Sequence, residues 1–170
     1  MSKVLSVNYT DTPIPNVEEL VLERGRVNYA ADFRVTRDTP STGGAEVKIT
    51  NLTSPIPFPE DFRFSVSNVN NIYAGTAIDP SFWGPTRSGV SILCQLTESW
   101  SVTDTEDPTY LVGLPVSAHL VIKVPRSEQV TPALVEGLVG RLVSGLYETG
   151  DEGTNRLSSM LRGSLKPSDL

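Results

Sequence analysis

The chain has one cysteine and one histidine in 170 residues. One cysteine allows no intramolecular disulfide framework and no multi-cysteine metal site. One histidine argues against a histidine-rich metal centre and against a Ser-His-Asp triad. No run of 18 apolar residues exists, so no membrane-spanning helix is expected. Residues 1–7 hold one lysine and no extended apolar stretch, so no secretory signal is expected either. An excess of cations is also missing: 14 Lys and Arg stand against 20 Asp and Glu, a net charge of −6. That balance disfavours bulk nucleic-acid binding but leaves room for a local basic face. There is no Gly-x-Ser-x-Gly, no phosphate-binding loop, no dinucleotide fingerprint and no His-Glu-x-x-His. No catalytic residue, cofactor, metal or small-molecule substrate is therefore assigned, and an enzyme is not expected.

What is present points to strands. Hydrophobic residues make up 38% of the chain, enough for a core, and 13 Gly and 13 Pro accompany many Ser, Thr and Val. Residues 4–9 and 18–23 read as short strands. Over 26–36, Val27, Tyr29, Ala31, Phe33 and Val35 alternate on one face, which predicts a further strand. Residues 40–44 read as a turn. Residues 45–51 alternate again, with Val47 and Ile49 on one side and Glu46, Lys48 and Thr50 on the other. Pro55, Pro57 and Pro59 rule out a central strand there. Residues 62–66 place Phe62, Phe64 and Val66 inward and Arg63, Ser65 and Ser67 outward. A long ordered loop is expected over 68–88.

Two long strands follow. Over 90–102, Val90, Ile92, Cys94 and Leu96 share one face, opposite Ser91, Leu93, Gln95 and Thr97. A solvated turn at 104–108 leads to a strand over 110–124. There Val116, Ala118, Leu120, Ile122 and Val124 oppose Ser117, His119, Val121 and Lys123. Cys94 reads as a small buried hydrophobe, and Trp83 and Trp100 as packing anchors rather than stacking platforms.

After Thr131-Pro132, a good N-cap with proline at the first helical position, the period becomes 3.6. Leu134, Val135, Leu138, Val139, Leu142, Val143 and Leu146 form the apolar stripe of a helix over about 131–147. Ala133, Gly137, Gly140 and Ser144 form a small-residue stripe beside it. A glycine inside a helix costs about 1 kcal/mol against alanine, so the two glycines are either tolerated or mark close packing. A second helix over about 154–165 would turn Leu157, Met160 and Leu161 inward. The expected fold is α+β: an N-terminal hairpin, an antiparallel sheet of about five strands and two C-terminal helices, in one domain spanning 1–170. Two short helices barely cover such a sheet, so a second copy of the chain is expected to complete it.

The polar sheet face is the feature with chemical content. If the strands are neighbours, Arg63, Ser65, Ser67, Gln95, Ser117, His119 and Lys123 form one surface. Hydroxyls and amides there could bond bases and riboses, and cations could neutralise phosphates. Periodicity alone fits a plain solvated face at least as well.

The long strand 114–125 running into the helix 131–147, then a break and a second helix ending near Leu165-Lys166-Pro167, follows Phe62-Arg63-Phe64-Ser65-Val66-Ser67 and the strand around 88–102. Over residues 61–167 this order resembles the coat proteins of the single-stranded RNA bacteriophages, the levivirus group. The resemblance implies an interlocked homodimer in which the sheets join edge to edge and each subunit's helices lie over its partner. Leu134, Gly137, Leu138, Gly140, Leu142, Leu157 and Leu161 would then sit in the dimer interface. It implies an icosahedral shell, assembled in the bacterial host cytoplasm and residing in the virion. It also implies that the opposite sheet face binds single-stranded genomic RNA and a hairpin whose capture represses translation, through Arg63, Ser65, Ser67, Gln95, Ser117, His119 and Lys123. This chain carries a longer loop at 68–88 than the family pattern, and few cations on that face. The alternative is a β-rich binding or assembly module of another virus or of a cell surface, with no RNA.

Overall fold

The computed structural model describes residues 27–104, 106–107, 109–150 and 155–170. The two expected strands at 4–9 and 18–23, the N-terminal hairpin, lie outside the described residues. The chain divides into two compact units, Val27–Ser127 and a second whose described part begins at Glu128.

The first unit is the sheet. It comprises a short helix α1 (Tyr29–Asp32) and the strands β1 (Phe33–Ser41), β2 (Gly44–Asn51), β3 (Asp61–Val69), β4 (Gly89–Thr103) and β5 (Leu111–Pro125). The five strands are antiparallel and lie in sequence order, β1-β2-β3-β4-β5. Every connection is therefore a hairpin, which antiparallel neighbours permit with short loops.

The strand expected over 26–36 is corrected at its first half. The Asn28 side chain accepts a hydrogen bond from the Ala31 amide at 3.2 Å and starts one helical turn. An Asn side chain that offers the backbone a local partner competes with the sheet ladder. The turn delivers Tyr29 onto the apolar sheet face, where its ring lies 5.6 Å from Phe33, 5.9 Å from Phe62 and 6.4 Å from Phe64. Phe62 and Phe64 stack at 5.8 Å. This edge-to-face cluster is the centre of the unit's core, with Phe33 and Phe62 buried.

The turn expected at 40–44 is tighter, with Pro40 and Ser41 inside β1 and Gly44 opening β2. Proline is tolerated there because β1 is an edge strand with no neighbour on its outer side among the described residues. A bulge between Val35 and Arg37 further roughens that edge. Gly44 is required by proximity, since a Cβ there would lie 2.3 Å from the Val66 carbonyl oxygen.

The 68–88 connection is ordered as expected, and β3 extends into it as far as Val69. Its neck is closed by the Ile72 amide donating to the Arg87 carbonyl at 2.8 Å. Trp83 stacks on Tyr73 at 5.2 Å, lies under the Arg87 guanidinium at 5.1 Å, and follows a 3-10 turn at Pro80–Phe82. Trp83 is thus the packing anchor the sequence suggested. Trp100 is not: it is exposed on β4 and its indole donates to Glu98 at 2.7 Å.

The second unit holds α2 (Pro132–Ser144) and α3 (Leu157–Leu161), both shorter than their apolar stripes suggested. Thr131 takes the N-cap position with Pro132 at the first helical position, but its hydroxyl makes no capping bond. The two helices are tied by Arg156, a residue with no role in the sequence reading. It is 8% exposed. Its guanidinium donates to the carbonyls of Gly145 and Leu165 and pairs with Glu148 at 3.4 Å. Both carbonyls lie where helical hydrogen bonding stops, at the end of α2 and where the chain leaves α3.

Candidate nucleic-acid interface

Strand register decides which side chains share the polar face. Arg63 lies opposite Gln95, and Gln95 opposite His119. Extended across β2 and β1, this row reads Arg37, Lys48, Arg63, Gln95, His119. The next row is Thr39, Glu46, Ser65, Leu93, Val121, and the one beyond is Gly44, Ser67, Ser91, Lys123. On the other side of the Arg63 row lie Thr50, Asp61, Thr97 and Ser117. The sheet therefore brings Arg63, Ser65, Ser67, Gln95, Ser117, His119 and Lys123 onto one surface, across three adjacent strands.

The face also contains residues the sequence analysis did not assign to it. Register places Arg34, Arg37 and Lys48 there, with the carboxylates Glu46 and Asp61. The alternation of Glu46 and Lys48 was legible in the sequence; what was not legible was that β2 pairs with β3, which sets them beside Arg63. Arg37 reaches this face because the bulge at Thr36 reverses the alternation of β1, a local event no periodicity reports.

Four of these charges, together with Arg63, form two groups. Glu46 receives Arg63 Nε at 2.9 Å and Nη2 at 2.6 Å on Oε2, and Arg37 Nη2 at 2.8 Å on Oε1. The Arg63 hydrogen bonds hold the Glu46 carboxyl below the usual glutamate range. Arg63 Nη1 also donates to Gln95 Oε1 at 3.4 Å. Lys48 pairs with Asp61 at 3.0 Å, and Asp61 accepts from the Thr50 hydroxyl at 2.5 Å. Lys123 is exposed and has no ion-pair partner among the described residues. By register the face carries five cations and two carboxylates, a positive surplus on a chain whose net charge is −6. Leu93 and Val121 lie in its middle.

Other chemistry has little to build on. Among the described residues no group of three or more His, Cys, Asp or Glu could hold a metal ion. Cys94 is half-buried on the apolar face, and burial pushes its thiol above the ordinary range, which leaves it a poor nucleophile.

In the helical unit no residue of α2 or α3 is buried. Leu138, Leu142, Leu157 and Leu161 are exposed, Leu161 to 89%, while Leu134 is half-buried. A Cβ added at Gly137 or Gly140 would meet nothing within 4 Å. The close packing considered for these glycines is not made with the described residues of this chain.

No family model matches the sequence, and no curated protein is similar to it. Solved structures are. The chain is 32% identical to the protein of a virus-like particle of bacteriophage AVE015, with a TM-score of 0.83 over 99% of this chain and 100% of that one. It shares the fold of the protein of a virus-like particle of bacteriophage GQ-112 at 15% identity, with a TM-score of 0.73 over 96% and 98% of the two chains. A five-stranded antiparallel sheet followed by two helices, matched end to end at that identity, makes this chain a structural capsid protein of the virion, and it belongs to the coat-protein family of the RNA bacteriophages.

Proposed function

We propose that this protein packages single-stranded RNA inside a shell built from dimers of itself, assembled in the cytoplasm of a bacterial host, with the polar sheet face turned toward the RNA. The supporting observation is the charge segregation: an acidic chain concentrates a cationic surplus on one sheet face, among hydroxyls and an amide. A few phosphate contacts per dimer, repeated around a closed shell, hold a genome by multivalency even where one dimer binds weakly. Lys123 and the arginines supply the backbone attraction; Ser65, Ser67, Gln95, Ser117 and His119 supply contacts to bases and riboses, and through them any preference for a repressor hairpin.

Two observations support the dimer. β5 is 15 residues long, regular throughout, and has no strand on its outer side among the described residues. Unlike β1, it has no bulge to discourage pairing. On α2, Leu138 and Leu142 of the apolar stripe are likewise exposed among the described residues. A partner's sheet edge and a partner's helices answer both.

Expressing the chain alone tests the reading. The expected product is closed particles containing nuclease-protected RNA. Lys123→Ala should weaken binding to all RNA sequences and flatten the salt dependence by about 0.7 log units per log of salt, one phosphate's worth on a single strand. Unchanged RNA content and salt slope in Lys123→Ala would remove this face as the RNA surface.

A further inference from the structure

The Arg37–Glu46–Arg63 triad is an unusual thing to find on a surface read as binding phosphates. The two arginines converge from β1 and β3 on a single carboxylate of the strand between them. Glu46 uses both oxygens, Oε2 for the Arg63 fork and Oε1 for Arg37. The two non-bridging oxygens of a phosphodiester offer the same arrangement of acceptors, with the same single charge. Glu46 is the more covered member of the triad, its side chain 22% exposed against 60% for Arg37 and 43% for Arg63. The guanidinium groups are thus the parts that can turn outward. Exposed ion pairs of this kind contribute little net stability, so exchanging their anion is cheap.

The Lys48–Asp61 pair differs. Asp61 is also held by the Thr50 hydroxyl, and a single ammonium gives no fork to match a phosphate.

We infer that Glu46 is an internal competitor for the RNA backbone: it occupies the Arg37–Arg63 pair in the free protein, and binding transfers both guanidinium groups from Glu46 to phosphate. The inference rests on the polar face being the RNA surface. Its consequence is quantitative. A cation that is already neutralised by a protein carboxylate releases fewer ions from the RNA than a free one, so the face binds more weakly than its five cations would suggest. Affinity per subunit is thereby kept low and left to multivalency. The arginine hydrogen bonds that lower the Glu46 carboxyl's pKa keep this competitor ionised through the neutral range.

The test is binding of the purified protein to a labelled oligouridylate across a salt series. Glu46→Gln should tighten binding at low salt about tenfold and steepen the salt slope by about 0.7, one further phosphate. Asp38→Asn makes the same change in net charge on the opposite face of β1, where Asp38 is exposed and opposes Val47; it should leave both readings unchanged. An equal gain from Asp38→Asn would show a net-charge effect and overturn the assignment. So would an unchanged affinity in Glu46→Gln while Lys123→Ala still weakens binding, which would keep the RNA face and discard the competitor. If Lys123→Ala is silent as well, the RNA face fails and the competitor with it.

Discussion

Two residues with no assigned role in the sequence turn out to organise their surroundings, and they do so in opposite ways. Arg156 is a buried cation that closes the break between the helices through two carbonyls and Glu148. Replacing it by methionine keeps the volume but removes both hydrogen bonds and the Glu148 pair, so Arg156→Met should cost about 2 kcal/mol. The loss would appear as a lower urea midpoint with an unchanged slope. Glu46 is a surface group whose partners set its acidity. Its carboxyl pKa is lowered in the folded state, so its contribution is complete above the ordinary glutamate value. It is lost only as pH falls through the lowered one; acidification to pH 5 should therefore leave the triad intact. Neither role could be read from sequence: Arg156 looks like any helix-flanking cation, and Glu46 needs the β2–β3 register to meet Arg63.

Elements were more legible than residues. The alternation over 45–51, 62–66, 90–102 and 110–124 placed β2 to β5 on the correct faces, because a half-buried antiparallel strand writes its two faces directly into sequence. The same signal failed at Tyr29, where Ala and Tyr keep a period of two but Asn28 starts a helical turn. The stripe over 134–146 marked α2, on which Leu138 and Leu142 are exposed and the two glycines meet no neighbour among the described residues. If the partner's chain packs there, Gly140→Leu should overpack the contact by about 1–3 kcal/mol and raise the concentration at which dimers form, as sedimentation would show. The loop at 68–88 is closed at its neck by Ile72 and Arg87. Replacing residues 73–86 by a short linker should then leave dimers intact and impair closed shells, visible by electron microscopy. Shells of normal size after that deletion would mean the loop has no part in assembly.

For the whole molecule the decisive fact is how little the described residues bury. Among the described residues only Phe33 and Phe62 are buried apolar side chains, at 6% and 9% exposure. Conformational entropy opposing folding runs to about 1–2 kcal/mol per residue, and so small a core does not offset it. Folding and dimerisation should therefore be one event, with an unfolding midpoint that rises with protein concentration. The sequence raises the same expectation by arithmetic, since two short helices are too few for a five-stranded sheet. Family membership supplies the shell, within which the sheet face, the β5 edge and the helices are proposed to serve RNA and partner. The most direct measurement is an electron cryomicroscopy reconstruction of the particles formed by this chain alone. The expected reconstruction shows paired β5 edges across a two-fold axis, one chain's α2 over its partner's apolar sheet face, and RNA density against Lys123 and the Arg37–Arg63 pair. RNA density on the apolar face of the sheet, or shells whose β5 edges are unpaired, would contradict it.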